Sequence, residues 1–134
     1  MPAWLLKTEP ETYAYADLVQ EGCGRWDGVK NALAQRHLRA IAPGDDLAIY
    51  HTGKTKAVVG LAAAVGYPYP DPGAPPYLAI DVAPRQWLPQ PVPLAQLKVD
   101  PVFADCALIR LPRLSVVPLT PVHWAQLLRC GELR

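Results

Sequence analysis

The stretch Trp26-Asp27-Gly28-Val29-Lys30-Asn31 puts an aromatic, a carboxylate, an ammonium and an amide within six residues. An indole offers a stacking face, and an asparagine amide both donates and accepts hydrogen bonds. Such a set suits a pocket for a flat, polar ligand. It serves equally well as a core plug, with Asp27 or Asn31 capping the helix that follows. Arg110-Leu111-Pro112-Arg113-Leu114-Ser115 carries two guanidiniums three residues apart. Their rigid fork of donors fits phosphate, although most surface charges do nothing specific. Lys54 and Lys56 have the same two readings.

Other chemistry fails on spacing. Gly53-Lys54-Thr55 is like the end of a phosphate-binding loop, but Ala48 stands where the first glycine is needed, and the run lies between two strands and not between a strand and a helix. His37, His51 and His123 are widely separated, with no spacing typical of metal ligands. Cys23, Cys106 and Cys130 form no Cys-x-x-Cys pair, so neither a disulfide framework nor a thiolate metal site is expected. Nothing local pairs Cys23 with His37 or His51 as nucleophile and base. No metal and no cofactor are expected.

The elements that must position these residues are short. Ala3-Trp4-Leu5-Leu6 reads as a first strand, closed where Pro10 drives Glu9 out of helical space. Asp17-Leu18-Val19 lies in one or two helical turns ended by Gly22 and Gly24. From Asn31 onward, Ala34, Leu38 and Ile41 recur at helical spacing, and Pro43-Gly44 ends the helix. Leu47 to His51 and Ala57 to Val65 form a hairpin around Gly53-Lys54. Pro68 to Pro76 holds five prolines and is expected as a surface loop. Tyr77 to Trp87 is a further strand, and Pro89 to Pro101 is broken apart from a helical turn at Leu94 to Leu97. Leu108 to Val117 is expected to be extended, with Pro112 at an edge or bulge. Thr120-Pro121 opens a last helix that presents Trp124, Leu127 and Leu128 on one face and stops at Gly131.

The 134 residues make one domain, residues 1–134, and 51% hydrophobic content is enough for a packed core. A net charge of +1 excludes binding of polyanions by bulk charge, so any nucleic-acid contact is local. Sixteen prolines, more than twice the usual share of about 5%, argue against a helical bundle. No apolar run approaches the ~20 residues of a membrane span, and no secretory leader is evident. A cytoplasmic monomer is the default expectation. Short strands with a few helices indicate an α+β domain around a small curved or closed sheet.

The combination of Trp4-Leu5-Leu6-Lys7-Thr8-Glu9-Pro10, Trp26-Asp27-Gly28-Val29-Lys30-Asn31, Tyr50-His51, Tyr69-Pro70-Asp71-Pro72 and Arg113-Leu114-Ser115-Val116-Val117-Pro118 resembles the EVE-domain family. That family belongs to the PUA-like superfamily and is related to YTH domains. The resemblance covers essentially the whole chain and implies a small mixed β-barrel with flanking helices. It also implies a non-enzymatic reader of a modified cytosine or adenine in DNA or RNA, with the extruded base held in an aromatic pocket. On that resemblance Trp26 stacks on the base, Asn31 meets its edge, and Lys7, Thr8, His51 and Ser115 add polar contacts. Arg113 meets the sugar-phosphate, with weaker backbone attraction from Lys54, Lys56, Arg36 and Arg39. Family members often carry Tyr-Gln where this chain has Ala32-Leu33, which makes the pocket wider or more apolar if that pair lines it.

Two competing functions follow. Related barrels of the ASCH group are suspected of hydrolysing nucleosides, and an enzyme or small-molecule binder acting on a nucleoside-like ligand would draw on Lys7, Glu9 and Asp27. A protein-interaction module built on the proline-rich loop rests on composition alone. An exposed Trp26 in a cleft with a basic rim distinguishes the reader from both.

Overall fold

The computed structural model describes residues 2–133. The described residues form seven strands and five α-helices. They are β1 (Ala3–Thr8), α1 (Tyr15–Glu21), β2 (Gly24–Trp26), α2 (Ala32–Ala40), β3 (Asp46–His51), β4 (Ala57–Ala64), β5 (Tyr69–Pro70), β6 (Leu78–Pro93), α3 (Leu94–Val99), α4 (Ala107–Arg110), β7 (Val116–Leu119) and α5 (Pro121–Cys130), with a 3-10 turn at Pro101–Phe103. The sheet runs β2-β6-β4-β3-β1-β7, and β5 pairs with β6. Only the β1–β3 pair is parallel. The sheet curls into a half-barrel flanked by helices, in line with the small mixed barrel that the resemblance implies. The very short β2 and β7 are its edges, and Pro118 lies in β7, where a missing N–H is tolerated. Helix α2 packs against both β6 and β7, spanning the gap between the two sides.

Every residue of β4 is buried, as expected of a central strand covered on both faces. Alanines at 62, 63 and 64 and glycine at 60 leave room for what packs on it. Tyr15 lies over Gly60 and donates its hydroxyl to the Leu61 carbonyl. Trp4 and Leu5 of β1, Ile49 of β3 and Val58 of β4 continue the core. Asp45, almost fully buried, accepts from the Trp4 indole N–H at 3.1 Å and from the Ala42 N–H at 2.9 Å. A buried carboxylate is tolerable when donors surround it in this way.

Helix α5 starts as its sequence indicates. The Thr120 side chain accepts from the His123 N–H, and His123 Nδ1 accepts from the Thr120 N–H, both at 3.1 Å. This second bond leaves the ring proton on Nε2, which faces Asp105 Oδ1 at 2.9 Å.

Two expectations are corrected. The strand expected to end at Trp87 runs on to Pro93 as the 16-residue β6, through Pro84, Pro89, Pro91 and Pro93. Its register against β4 shifts twice, so that Arg85 and the segment from Leu88 to Pro91 have no β4 partner. Prolines sit in or beside these bulges, where no ladder donor is required. Leu108 to Arg110, expected to be extended, is helical in α4. Leu108 is buried there, and Pro112 keeps Leu111 out of helical space at φ −128° and ψ 75°.

A methyl group at position 60 would meet the Tyr15 ring at 2.4 Å. Both groups are held by strand pairing and a hydrogen bond, so Gly60→Ala is expected to cost about 2–3 kcal/mol of unfolding free energy by overpacking. Urea denaturation measures this, and a loss below about 0.5 kcal/mol would contradict the packing described.

Candidate functional site

The parallel register places Lys7 opposite Tyr50 and Thr8 opposite His51, so the ends of β1 and β3 open at the same rim of the half-barrel. A cleft of about 570 Å³ lies there. Lys7, Thr8 and Glu9 come from the end of β1; Tyr50, Thr52, Gly53 and Lys56 from β3 and its turn; Leu94 and Lys98 from α3. The segment from α4 to β7 closes it with Leu108, Pro112, Arg113 and Ser115. Four cations and four hydroxyl side chains thus line it together with apolar Leu94, Leu108 and Pro112 and one carboxylate, Glu9.

Lys7 is half-buried, its ammonium 2.8 Å from the Pro112 carbonyl and 5.5 Å from the centre of the Tyr50 ring. Burial holds its pKa below the ordinary lysine value, because the charged form is desolvated. The Lys7 N–H also donates to the Ser115 carbonyl at 3.0 Å, which ties this wall to the β1 edge. Glu9 accepts from the Thr52 hydroxyl at 3.2 Å.

A second cleft of about 390 Å³ adjoins the first across Pro112 and Arg113. Leu33, Leu111 and Leu114 line it, with Asn31 as its amide. Leu33 is therefore a cleft residue, and of the Ala32-Leu33 pair it supplies an apolar wall. Asn31 Oδ1 accepts from the Ala34 N–H at 3.0 Å, capping α2. With its oxygen so used, the amide offers the cleft its NH₂ donors.

The loop carrying Asn31 is fixed from behind. Gly28 turns with φ +72°, a conformation that favours glycine, and its N–H lies 3.3 Å from Asp71 Oδ2. Buried Gln35 donates to the Val29 and Leu78 carbonyls and accepts from the Leu78 N–H at 2.9 Å. The Tyr69-Pro70-Asp71-Pro72 segment thus acts through Asp71 as a brace for this loop.

The structure brings Lys7, Thr8, Ser115, Arg113 and Lys56 together, and sets Asn31 next to them. Trp26 is placed elsewhere. It is 6% exposed, packs edge-on against Tyr13 with ring centres 6.1 Å apart, and lines neither cleft. The expectation of an open Trp26 is corrected accordingly: pairing of β2 with β6 turns the indole into the core. The ring that lines the main cleft is Tyr50. His51 is also interior, and its Nε2 accepts from the Tyr15 N–H at 3.0 Å. Lys54, Arg36 and Arg39 are exposed and line neither cleft. Of the residues considered for catalysis, Lys7 and Glu9 share the main cleft, whereas exposed Asp27 does not line it. Sequence reading missed Lys98, Tyr50 as a cleft wall, and Asp71 and Gln35 as braces. Among the described residues, no group of three His, Cys, Asp or Glu could hold a metal ion, and no helix is long and apolar enough to cross a membrane.

The pattern of the EVE domain matches residues 2–130. The chain belongs to the EVE-domain family. Human thymocyte nuclear protein 1 is 29% identical over 155 aligned positions, covering 87% of this chain and 68% of that protein. The mouse protein of that name is 37% identical over 82 positions, 51% of this chain and 35% of its own length, so these relatives extend beyond the region matched. A solved protein from Agrobacterium tumefaciens superposes with a TM-score of 0.95 at 30% identity, covering 99% of this chain and 94% of that one. The human protein solved in complex with DNA containing 5-methylcytosine gives 0.90 at 26% identity, covering 100% of this EVE domain and 99% of that chain.

Burial holds the His51 imidazole below its usual 6.5, with Glu9 pulling the other way. Well above pH 6.5 the ring is neutral in both folded and unfolded chains. As pH falls below that value, the unfolded chain takes up the proton first, so stability falls until the lower folded pKa is reached, by at most about 1.4 kcal/mol per pH unit. His37, also lowered by burial, acts in the same direction. Denaturation at pH 7 and pH 5 should therefore show a smaller acid loss in His51→Gln than in the parent. Equal losses would remove His51 as the source.

Proposed function

We propose that this EVE domain is a non-enzymatic module that binds nucleic acid and reads a modified cytosine. The observation that carries this reading is the likeness, along the whole chain, to the human relative solved with DNA containing 5-methylcytosine. The two clefts suit a division of the ligand. Leu33, Leu111 and Leu114, with the Asn31 NH₂, form an environment for an extruded base and an apolar substituent. Arg113 and Lys7, with the Ser115 hydroxyl, suit the sugar and its nearest phosphate. Arg113 stands on the ridge between them and contacts both parts. Trp26 and His51 act from behind, holding the loop that carries Asn31 and the start of α1.

Extruding a base costs a few kcal/mol, least in a single strand, and the pocket must return that through stacking and hydrogen bonds. A methyl group in an apolar pocket adds only about 1–3 kcal/mol. Affinity is therefore expected to depend on phosphate contacts and salt, and discrimination to be modest.

The test is a titration of the purified protein with one short single-stranded oligonucleotide, as DNA and as RNA, carrying cytosine or 5-methylcytosine. About tenfold tighter binding of the methylated form is expected. Arg113→Ala should weaken both forms. Asn31→Asp, which keeps an oxygen to cap α2 but removes the NH₂ donors, should weaken base-dependent binding without unfolding the helix. Equal affinity for the two oligonucleotides would sink the reader assignment. Release of free base from 5-methyl-2′-deoxycytidine on incubation with the protein would instead favour an enzyme using Lys7 and Glu9.

A further inference from the structure

The main cleft does not end at Lys56 and Lys98. A groove of about 330 Å³ lined by Thr55, Lys56, Pro93, Leu94, Ala95 and Lys98 shares Lys56, Leu94 and Lys98 with it, so the two form one trough. Its walls are the β3–β4 turn and the start of α3, which are fixed to each other. The Leu94 N–H donates to the Lys56 carbonyl at 2.8 Å, and the next residue, Ala57, pairs with Pro93 in the β4–β6 ladder. Lys56 holds this turn with φ +43°, a left-handed conformation uncommon for a residue with a side chain.

The charge of this groove is one-sided. Lys56 and Lys98 line it, exposed Lys54 stands in the same turn, and no carboxylate lines the groove. Asp100, two residues beyond Lys98, is committed elsewhere, accepting from the Val102 N–H at 3.0 Å and from Gln126 at 2.8 Å. In a chain with 13 lysines and arginines against 12 acids, this local excess of cations is set by the fold and not by composition.

Resting on the reader assignment above, we propose that this trough is a track for the phosphodiester backbone flanking the bound base. The strand leaves the main cleft between the β3–β4 turn and α3. Lys56 and Lys98 meet one phosphate from opposite walls, and Lys54 meets the next. Lys98, a lone exposed lysine in sequence, becomes a backbone contact, while Arg36 and Arg39 lie off the path.

The experiment compares the parent chain with a triple variant, Lys54→Gln, Lys56→Asn and Lys98→Gln. Asparagine tolerates the left-handed conformation at position 56, and thermal melting checks that the fold is kept. The probes are a 12-nucleotide single-stranded DNA with one central 5-methylcytosine, the same strand unmethylated, and the nucleoside 5-methyl-2′-deoxycytidine, which has no phosphate. Each lost phosphate contact should reduce the slope of log affinity against log salt by about 0.7. The triple variant is expected to lose about 1.4 of slope, to bind both strands about tenfold or more weakly at low salt, and to keep its methyl preference and nucleoside affinity. A parent-like salt slope in a folded triple variant would overturn the track and leave the reader assignment standing. Absence of oligonucleotide binding by the parent chain at every salt concentration would overturn both.

Discussion

The parallel pairing of β1 with β3 is the constraint on which the rest of this structure depends. Parallel neighbours cannot be joined by a tight turn, so the chain must make a long crossover between them. Here the crossover carries α1, β2 and α2, including the Trp26-to-Asn31 loop. Both strands therefore finish at the same rim, and Lys7 stands against Tyr50 where a cation over an aromatic ring forms one wall of the cleft. The two-residue period of a strand decides the rest. Tyr50 reaches the cleft, so His51 beside it turns to the other side and meets the Tyr15 N–H. A one-residue slip would exchange these roles and turn the apolar set of β3 outward.

A curled sheet with two short edges also needs closing, and α2 does so by packing on β6 and β7. The accuracy with which Asn31 meets the second cleft is inherited from that closure. The asparagine caps the helix, the preceding loop is tied to Asp71 at Gly28 and to Gln35 at Val29, and Gln35 is itself in α2 and bonded to the beginning of β6. Cap, loop and sheet edge thus form one hydrogen-bonded unit. Buried amides and carboxylates of this kind are costly unless fully paired. Their pairing is what converts a flexible connection between strands into a rigid wall.

Elements with local signals were legible in sequence. The Asn31 cap with its apolar spacing gave α2, Thr120-Pro121 gave α5, and the turn around Gly53 gave the hairpin, because each is decided within a few residues. Strand β6 was truncated because proline density signals a broken segment, whereas bulges against β4 accommodate the prolines, and bulges are a property of the pair of strands. The site was legible in part for the same reason. Lys7, Thr8, Arg113 and Ser115 occur in motifs, but the aromatic wall is Tyr50 and not the conspicuous Trp26, since nothing local reveals which indole face a three-residue edge strand covers. Lys98, in a one-and-a-half-turn helix, carries no local sign that it faces Lys56 across a trough.

This division between cationic and apolar clefts has a consequence for how such a domain can work. With a net charge of +1, the chain has little long-range attraction for a polyanion, so contact depends on the few cations gathered at one rim. Those cations act on any phosphodiester and carry no base information. In the proposed reader the apolar cleft senses a substituent, and does so over contact distance only. On the proposed reading, affinity and discrimination reside in different side chains, joined at Arg113, which lines both clefts. In the proposed reader, altering Leu33, Leu111 or Leu114 would change the base that is read while leaving the backbone contacts in place. Of the Ala32-Leu33 pair, Leu33 lines that cleft and Ala32 does not.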